Sequence, residues 1–359
     1  MPTRSETLAR ASALRALFEA EGAALVEPPI LQPAATLLEL YGEDIRARAY
    51  VTSDALRGEQ MLRPDFTVPV VQMHMAHGAE PARYTYSGEV FRRQEHDPDR
   101  ANEYIQVGYE VFDRADPAAA DAEVFALISG AMAGLPVRAV TGDIGVLMAA
   151  VDGLDTTARR KHALMRHIWR PGRFRMLLDR FAGTSPMPPT RAALLAGQVR
   201  SDAPLLGLRT QAEIDARIVA LHEDAAAAPI SARQVEAIMA LLDLRGAMPD
   251  ALARLHDLAT RMPQIAPAVE RVAAREAALK ARGVDTSTLV FEASYGRSSM
   301  EYYDGFVFGF LAQDHPEFPE IASGGRYDAL TRRLGQGREI PAVGGVMRPG
   351  LMLTLEGAP

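Results

Sequence analysis

The densest group of polar side chains able to act together lies in residues 91–113, FRRQEHDPDRANEYIQVGYEVFD. On an extended strand, side chains two apart share a face. A strand over 104–112 therefore sets Gln106, Gly108 and Glu110 side by side. In the segment before it, Tyr84, Tyr86, Gly88, Val90 and Arg92 share a face in the same way. An arginine, an amide and a carboxylate converging on one sheet face, with a glycine leaving room, suit a small zwitterion. The same residues also fit an antiparallel hairpin with a wet face and cross-strand ion pairs. A second group is LRPDFTVP, residues 62–69, with Asp65 and Thr67 two apart. A carboxylate and a hydroxyl suit an α-ammonium group, and they equally suit a turn after Pro64 with two local caps. A third is MEYYDGFVFGF, where a strand turns only one of Tyr302 and Tyr303 toward a pocket and simple packing of both is the alternative.

Two further groups read as structural. His74 and His77 have the i,i+3 spacing of helical metal ligands, but no carboxylate completes a site that normally takes four ligands. Arg159, Arg160, Lys161, Arg166, Arg170, Arg173, Arg175 and Arg180 surround the single tryptophan, Trp169. Such a stretch can meet phosphate or an acidic partner, and we expect instead a solvated helix face with snorkelling arginines. The chain has no cysteine, which excludes disulfides, thiolate nucleophiles and cysteine zinc sites and fits a reducing compartment. A net charge of −7 argues against an extended nucleic-acid backbone as the main partner.

The elements that must position these residues follow from pattern. A length of 359 residues suggests two or three structural units, and a hydrophobic fraction of 48% supplies a sizeable core. Thr3 and Glu6 have capping-box spacing ahead of a helical pattern of Leu8, Ala11, Leu14, Leu17 and Phe18, with Gly22 as its stop. From Tyr50 to Phe112, short apolar runs with turns between them predict strands of one sheet. Asp116 and Pro117 predict a helix start, with Val124, Phe125, Leu127 and Ile128 as its apolar face. Residues 151–285 are rich in Ala, Leu and Arg at helical period and predict a helical insertion; strand character returns from Thr286. Arg4, Glu6, Arg10 and Arg15 break any apolar stretch at the N-terminus, and no later run approaches a membrane span, so a cytoplasmic protein is expected.

Taken together, these segments resemble the catalytic core of histidyl-tRNA synthetases. Phe91-Arg92, Arg100 and Gln106-x-Gly108-x-Glu110-Val111-Phe112 match the second signature of class II aminoacyl-tRNA synthetases. LRPDFT is similar to the amino-acid-binding segment, with Asp65 where the family has Glu. MEYYDGFVF is similar to the histidine-specific segment, GGRYD also matches, EPPILQP resembles the dimer-forming first signature with Pro29 as its proline, and YGED fits the stretch after it. The resemblance covers about residues 5–150 and 286–359. It implies an α+β fold: a six-stranded antiparallel sheet flanked by helices, discontinuous over 1–150 and 286–359, with 151–285 inserted. It also implies a dimer. In that frame Asp65, Thr67 and Gln106 hold an α-ammonium, Arg92 faces the carboxylate, and Glu110 with one of Tyr302 or Tyr303 takes an imidazole.

Three departures separate the chain from a tRNA-charging enzyme. The family's adenylation arginine, four residues before the first tyrosine, is replaced by Ser298, and the neighbouring Arg297 would point to the other face of a strand. Gln94 stands where an acid contacts adenine, and Met347 where the third signature usually carries an acid beside Arg348. The sequence ends at Pro359, just after that signature, without the family's anticodon-binding domain. A retained amino-acid pocket with altered adenylation signatures resembles the regulatory subunits of ATP phosphoribosyltransferase. That family is non-catalytic: its members activate a short catalytic subunit and confer feedback inhibition by L-histidine, as homodimers within a hetero-oligomer. Mg²⁺ and nucleotides belong to the partner, so no cofactor is expected here, and tRNA is not the expected partner. The alternative is a free-standing histidine-activating ligase.

Overall fold

The computed structural model describes residues 2–41, 45–94, 100–199, 206–297 and 302–357. Twelve strands among them run in chain order as β1 (Ala24–Leu25), β2 (Leu31–Pro33), β3 (Val51–Asp54), β4 (Gly58–Leu62), β5 (Ala82–Phe91), β6 (Glu103–Phe112), β7 (Val137–Asp143), β8 (Arg245–Ala247), β9 (Val290–Glu292), β10 (Phe306–Ala312), β11 (Ala322–Arg326) and β12 (Ala342–Met347). The main sheet has the order β1-β5-β6-β12-β11-β10-β7-β9-β8. Its middle six strands are antiparallel throughout, from β5 to β7. The expectation of six strands is therefore corrected to nine in a mixed sheet. Unpaired strand edges expose backbone donors and acceptors, and short strands cover both edges here. β1 lies parallel to β5, and β9 lies parallel to β7 with β8 antiparallel beyond it. β8 comes from within residues 151–285, so that stretch contributes a strand to the sheet.

Two more sequence expectations are corrected. Strands β3 and β4 do not join the main sheet; β4 pairs with both β2 and β3 in a separate three-stranded sheet. The run after them, expected as strand, is the helix Thr67–His77. Val68, Val70, Val71, His74 and Met75 are buried, and the exposed stripe of Met73, Ala76 and His77 is itself largely apolar, so no polar face reveals the helical period. Pro69 sits within its first turn, where no intrahelical N–H donor is needed. The N-terminal helix Arg4–Ala20 carries the expected capping box, and Asp116 caps the helix Pro117–Ala131 through the Ala119 amide at 3.0 Å. No described helix is long and apolar enough to cross a membrane.

The helix Ala266–Ala281 lies against Pro117–Ala131, and a buried charge network fastens the two to the sheet. Arg275 reaches Asp121 Oδ2 and Asp143 Oδ2, both at 2.8 Å, and Arg326 reaches Asp121 Oδ1 at 2.7 Å. Removing one member of such a network strands the remaining charges without solvent. Arg275→Met should therefore lower unfolding stability by about 3–5 kcal/mol, measured by urea denaturation followed by circular dichroism. A loss below about 1 kcal/mol would mean that the network does not hold the helix in place.

Candidate functional site

A cavity of about 190 Å³ opens on one face of the main sheet, floored by β6, β10, β11 and β12. Asp65, Thr67, Arg92, Gln106, Tyr302 and Tyr303 line it together. The sheet register explains part of this convergence. Gly88 pairs with Gln106 and Tyr84 pairs with Glu110, so Gln106 and Glu110 share a face. Asp65 and Thr67 arrive at the first turn of the helix Thr67–His77, where Asp65 Oδ1 accepts from the Val68 amide at 3.3 Å. The local cap and the pocket position are thus both true of Asp65. Arg92 is steadied by donation from its Nε to the Pro64 carbonyl at 2.8 Å.

Tyr302 and Tyr303 are not on a strand, since β10 begins only at Phe306. The parity argument that let one of them face the pocket therefore lapses, and both line it, edge to face at 5.0 Å between ring centroids. Glu110 departs from expectation in the other direction. It is not on the cavity wall and is fully buried, with its carboxylate accepting from Thr67 Oγ1 at 3.1 Å, Tyr86 OH at 2.7 Å and Tyr327 OH at 2.5 Å. Burial outweighs these three donors and pushes its pKa up to about 7. Glycines make this packing possible. A Cβ on Gly344 would lie 1.4 Å from Glu110 Oε2, and one on Gly108 would lie 2.2 Å from the Tyr86 phenol. The room left by Gly108 is therefore taken by Tyr86 and not by a ligand.

Gln106 stands apart electrostatically. Its side chain is completely buried, and neither its Oε1 nor its Nε2 has a hydrogen-bond partner among the described residues. Leaving buried polar groups unmet costs roughly 1–3 kcal/mol. Gln106 lines the cavity, from which a ligand can supply partners.

Among the lining residues that sequence reasoning did not place at the site are Tyr295, Glu320 and Arg348. Tyr295 OH donates to Glu320 Oε1 at 2.7 Å, and Arg348 Nη1 donates to the Glu320 carbonyl at 2.6 Å. The available signal was Gly309, a glycine within the bulky strand FVFGFLA, because glycine in a strand marks close approach of another group. A Cβ there would lie 1.8 Å from the Tyr295 hydroxyl. The cavity thus carries Arg92 and Arg348 as cations and Asp65 and Glu320 as anions. That set suits an amino acid with both of its charges.

Ser298 and residues 42–44 of YGED lie outside the described residues. Arg297 points away from the cavity: its Nε donates to the Ile168 carbonyl at 2.7 Å, and its guanidinium lies 4.9 Å from the Phe174 ring. His74 is buried, stacked on Phe112 at 4.0 Å with its Nδ1 3.1 Å from Tyr84 OH. No group of three metal-ligating side chains occurs among the described residues.

The Glu110 environment has a signed consequence for stability. Its pKa rises from 4.5 to about 7 on folding, so the folded chain holds that proton over the interval. The group's contribution is fully present below the lower value and is lost as pH climbs through the upper one, at no more than about 1.4 kcal/mol per pH unit. Glu110→Gln does not titrate. The stability of wild type relative to this variant should fall between about pH 5 and about pH 7 and then level off. Parallel stability curves in urea across that range would contradict the assignment.

The profile of the histidyl-tRNA synthetase family matches residues 2–203 and 209–349. The ATP phosphoribosyltransferase regulatory subunit of Brucella anthropi is 32% identical over 356 residues, covering 93% of each chain. That of Brucella canis is 31% identical over 355 residues, again covering 93% of each chain. Among solved structures, an ATP phosphoribosyltransferase regulatory subunit/histidyl-tRNA synthetase from Bacillus halodurans superposes with a TM-score of 0.69 at 20% identity, over 100% of this chain and 81% of that one. A histidine–tRNA ligase subunit from Alicyclobacillus acidocaldarius does so with a TM-score of 0.60 at 23% identity, over 98% and 93%. The fold is therefore that of the class II synthetase core, and by its nearly full-length match to curated relatives the chain belongs to the histidyl-tRNA synthetase-like family of ATP phosphoribosyltransferase regulatory subunits.

Proposed function

We propose that this chain is a non-catalytic regulatory subunit that activates a short-form ATP phosphoribosyltransferase and mediates its feedback inhibition by L-histidine, bound in the sheet cavity. The stranded amide of Gln106 carries the reading, because a ligand with donors and acceptors at one end would satisfy it. In this reading Asp65, Thr67 and Gln106 receive the α-ammonium, and Arg92 faces the carboxylate. Tyr302 and Tyr303 bound the imidazole end, with Glu110 behind them. Glu110 already accepts from three hydroxyls, which leaves one acceptor position, on Oε2, for an imidazole N–H. Ser298, Gln94 and Met347 support binding without adenylation, since each replaces a group that handles nucleotide in the synthetases it resembles. A homodimer within the hetero-oligomer is part of the proposal. Exposed Leu25, Ile30 and Leu31, within and beside EPPILQP, support a subunit contact there.

The test is Gln106→Ala in a complex reconstituted with the short catalytic subunit. The variant removes a buried unsatisfied amide, so the ligand-free chain should melt at the same temperature or higher. The complex should keep its phosphoribosyltransferase activity while needing at least about tenfold more L-histidine for half-inhibition. Unchanged sensitivity to histidine would move the effector site off this cavity.

A further inference from the structure

The basic stretch read from sequence as a solvated face is not uniformly solvated. Arg160, on the helix Ala158–Arg166, is buried and turns inward. It meets Asp224 of the helix Gln211–Ala226, with Nε 2.7 Å from Oδ1, and its Nη1 donates to the Ala228 carbonyl at 2.8 Å. Arg191, on the helix Pro189–Leu195, takes the other carboxylate oxygen at 2.6 Å. Each oxygen of the Asp224 carboxylate thereby has a guanidinium partner. Arg180, at the end of the helix Pro171–Phe181, joins the group without a carboxylate of its own. Its guanidinium lies 4.8 Å from the Phe181 ring, and its Nε is buried without a hydrogen-bond partner among the described residues, as is the Nε of Arg191. All four charged residues line one cavity of about 190 Å³, beside Ser185 and an apolar wall that includes Phe181 and Pro229.

The charge count is three guanidiniums against one carboxylate, a surplus of two positive charges on the cavity wall. Arginine does not shed its proton in proteins, and no further carboxylate among the described residues lines the cavity, so an anion from outside can meet the surplus. Burial, followed by the neighbouring Arg191 guanidinium, depresses the Arg180 pKa, the mark of a cation lacking its counter-charge. We propose that this cavity is a second binding site, separate from the sheet cavity, for a small phosphate-bearing dianion. A dianion matches the surplus, and guanidinium forks match phosphate oxygens in geometry as well as charge. The cavity is small, about 190 Å³, on a chain of net charge −7, which suits a small phosphate ester or pyrophosphate better than a long polyanion.

The experiment titrates the full chain with sodium pyrophosphate, with inorganic phosphate, and with malonate as a carboxylate dianion, at matched ionic strength, by calorimetry and thermal melting. Arg180→Gln is the discriminating variant, because this side chain makes no hydrogen bond among the described residues whose loss would unfold the helix. Pyrophosphate should raise the melting temperature of wild type, and its affinity should fall at least about tenfold in Arg180→Gln, with Arg180→Lys between the two. L-histidine binding should not change in either variant, which also separates this site from the sheet cavity. Three results would overturn the proposal: equal binding of pyrophosphate by Arg180→Gln, stabilisation no greater than by chloride, or malonate binding as tightly as the phosphates.

Discussion

The Glu110 carboxylate, buried between the sheet and the helix Thr67–His77, ties together parts of the chain that are far apart in sequence. Tyr86 comes from β5, Thr67 from the first turn of the helix, and Tyr327 from the turn after β11. All three aim hydroxyls at one carboxylate, and Gly344 on β12 leaves the space in which it sits. A buried carboxylate is tolerated only where its oxygens are met, so the four elements have little freedom to shift independently. The cavity wall rests on that layer. Thr67 faces both the cavity and Glu110, and Tyr302 packs edge-on to Tyr327 at 6.2 Å between ring centroids.

The two cavities differ in how their charges are balanced, and the difference states what each suits. The sheet cavity has cations and anions in equal number on its wall, with the Gln106 amide awaiting partners, and so is matched to a neutral zwitterion. The arginine cavity carries uncompensated positive charge and is matched to an anion. Arg297 lines neither cavity. Its Nε donates to the Ile168 carbonyl, just after the first of the arginine-bearing helices.

Much of the fold and site was legible where information is local. The hairpin β5–β6 reads directly from alternation, and its register brings Gln106 and Glu110 to one face as alternation requires. The caps at Thr3 and Asp116 read from side-chain type and spacing alone. What failed had no local trace. The helix Thr67–His77 is apolar on nearly every side, so its period is invisible. Strands of two or three residues such as β1 and β8 exist only because an edge needs covering. The Tyr295–Glu320 pair joins residues 25 apart, with Gly309 as its single hint. Arg160 and Arg180 looked solvated because Asp224, which gathers Arg160 and Arg191, lies on another helix far along the chain. Gly108 was legible as a space and misread as to its occupant, since nothing in the sequence says that Tyr86 fills it.

Calorimetric titration of the purified chain with L-histidine and with histamine decides whether the sheet cavity recognises a free amino acid by both of its charges. One L-histidine should bind per chain. Histamine, which keeps the ammonium and imidazole but has no carboxylate to face Arg92, should bind at least about tenfold more weakly. Absence of L-histidine binding to both the chain and its complex, or histamine binding as tightly as histidine, would contradict recognition by both charges.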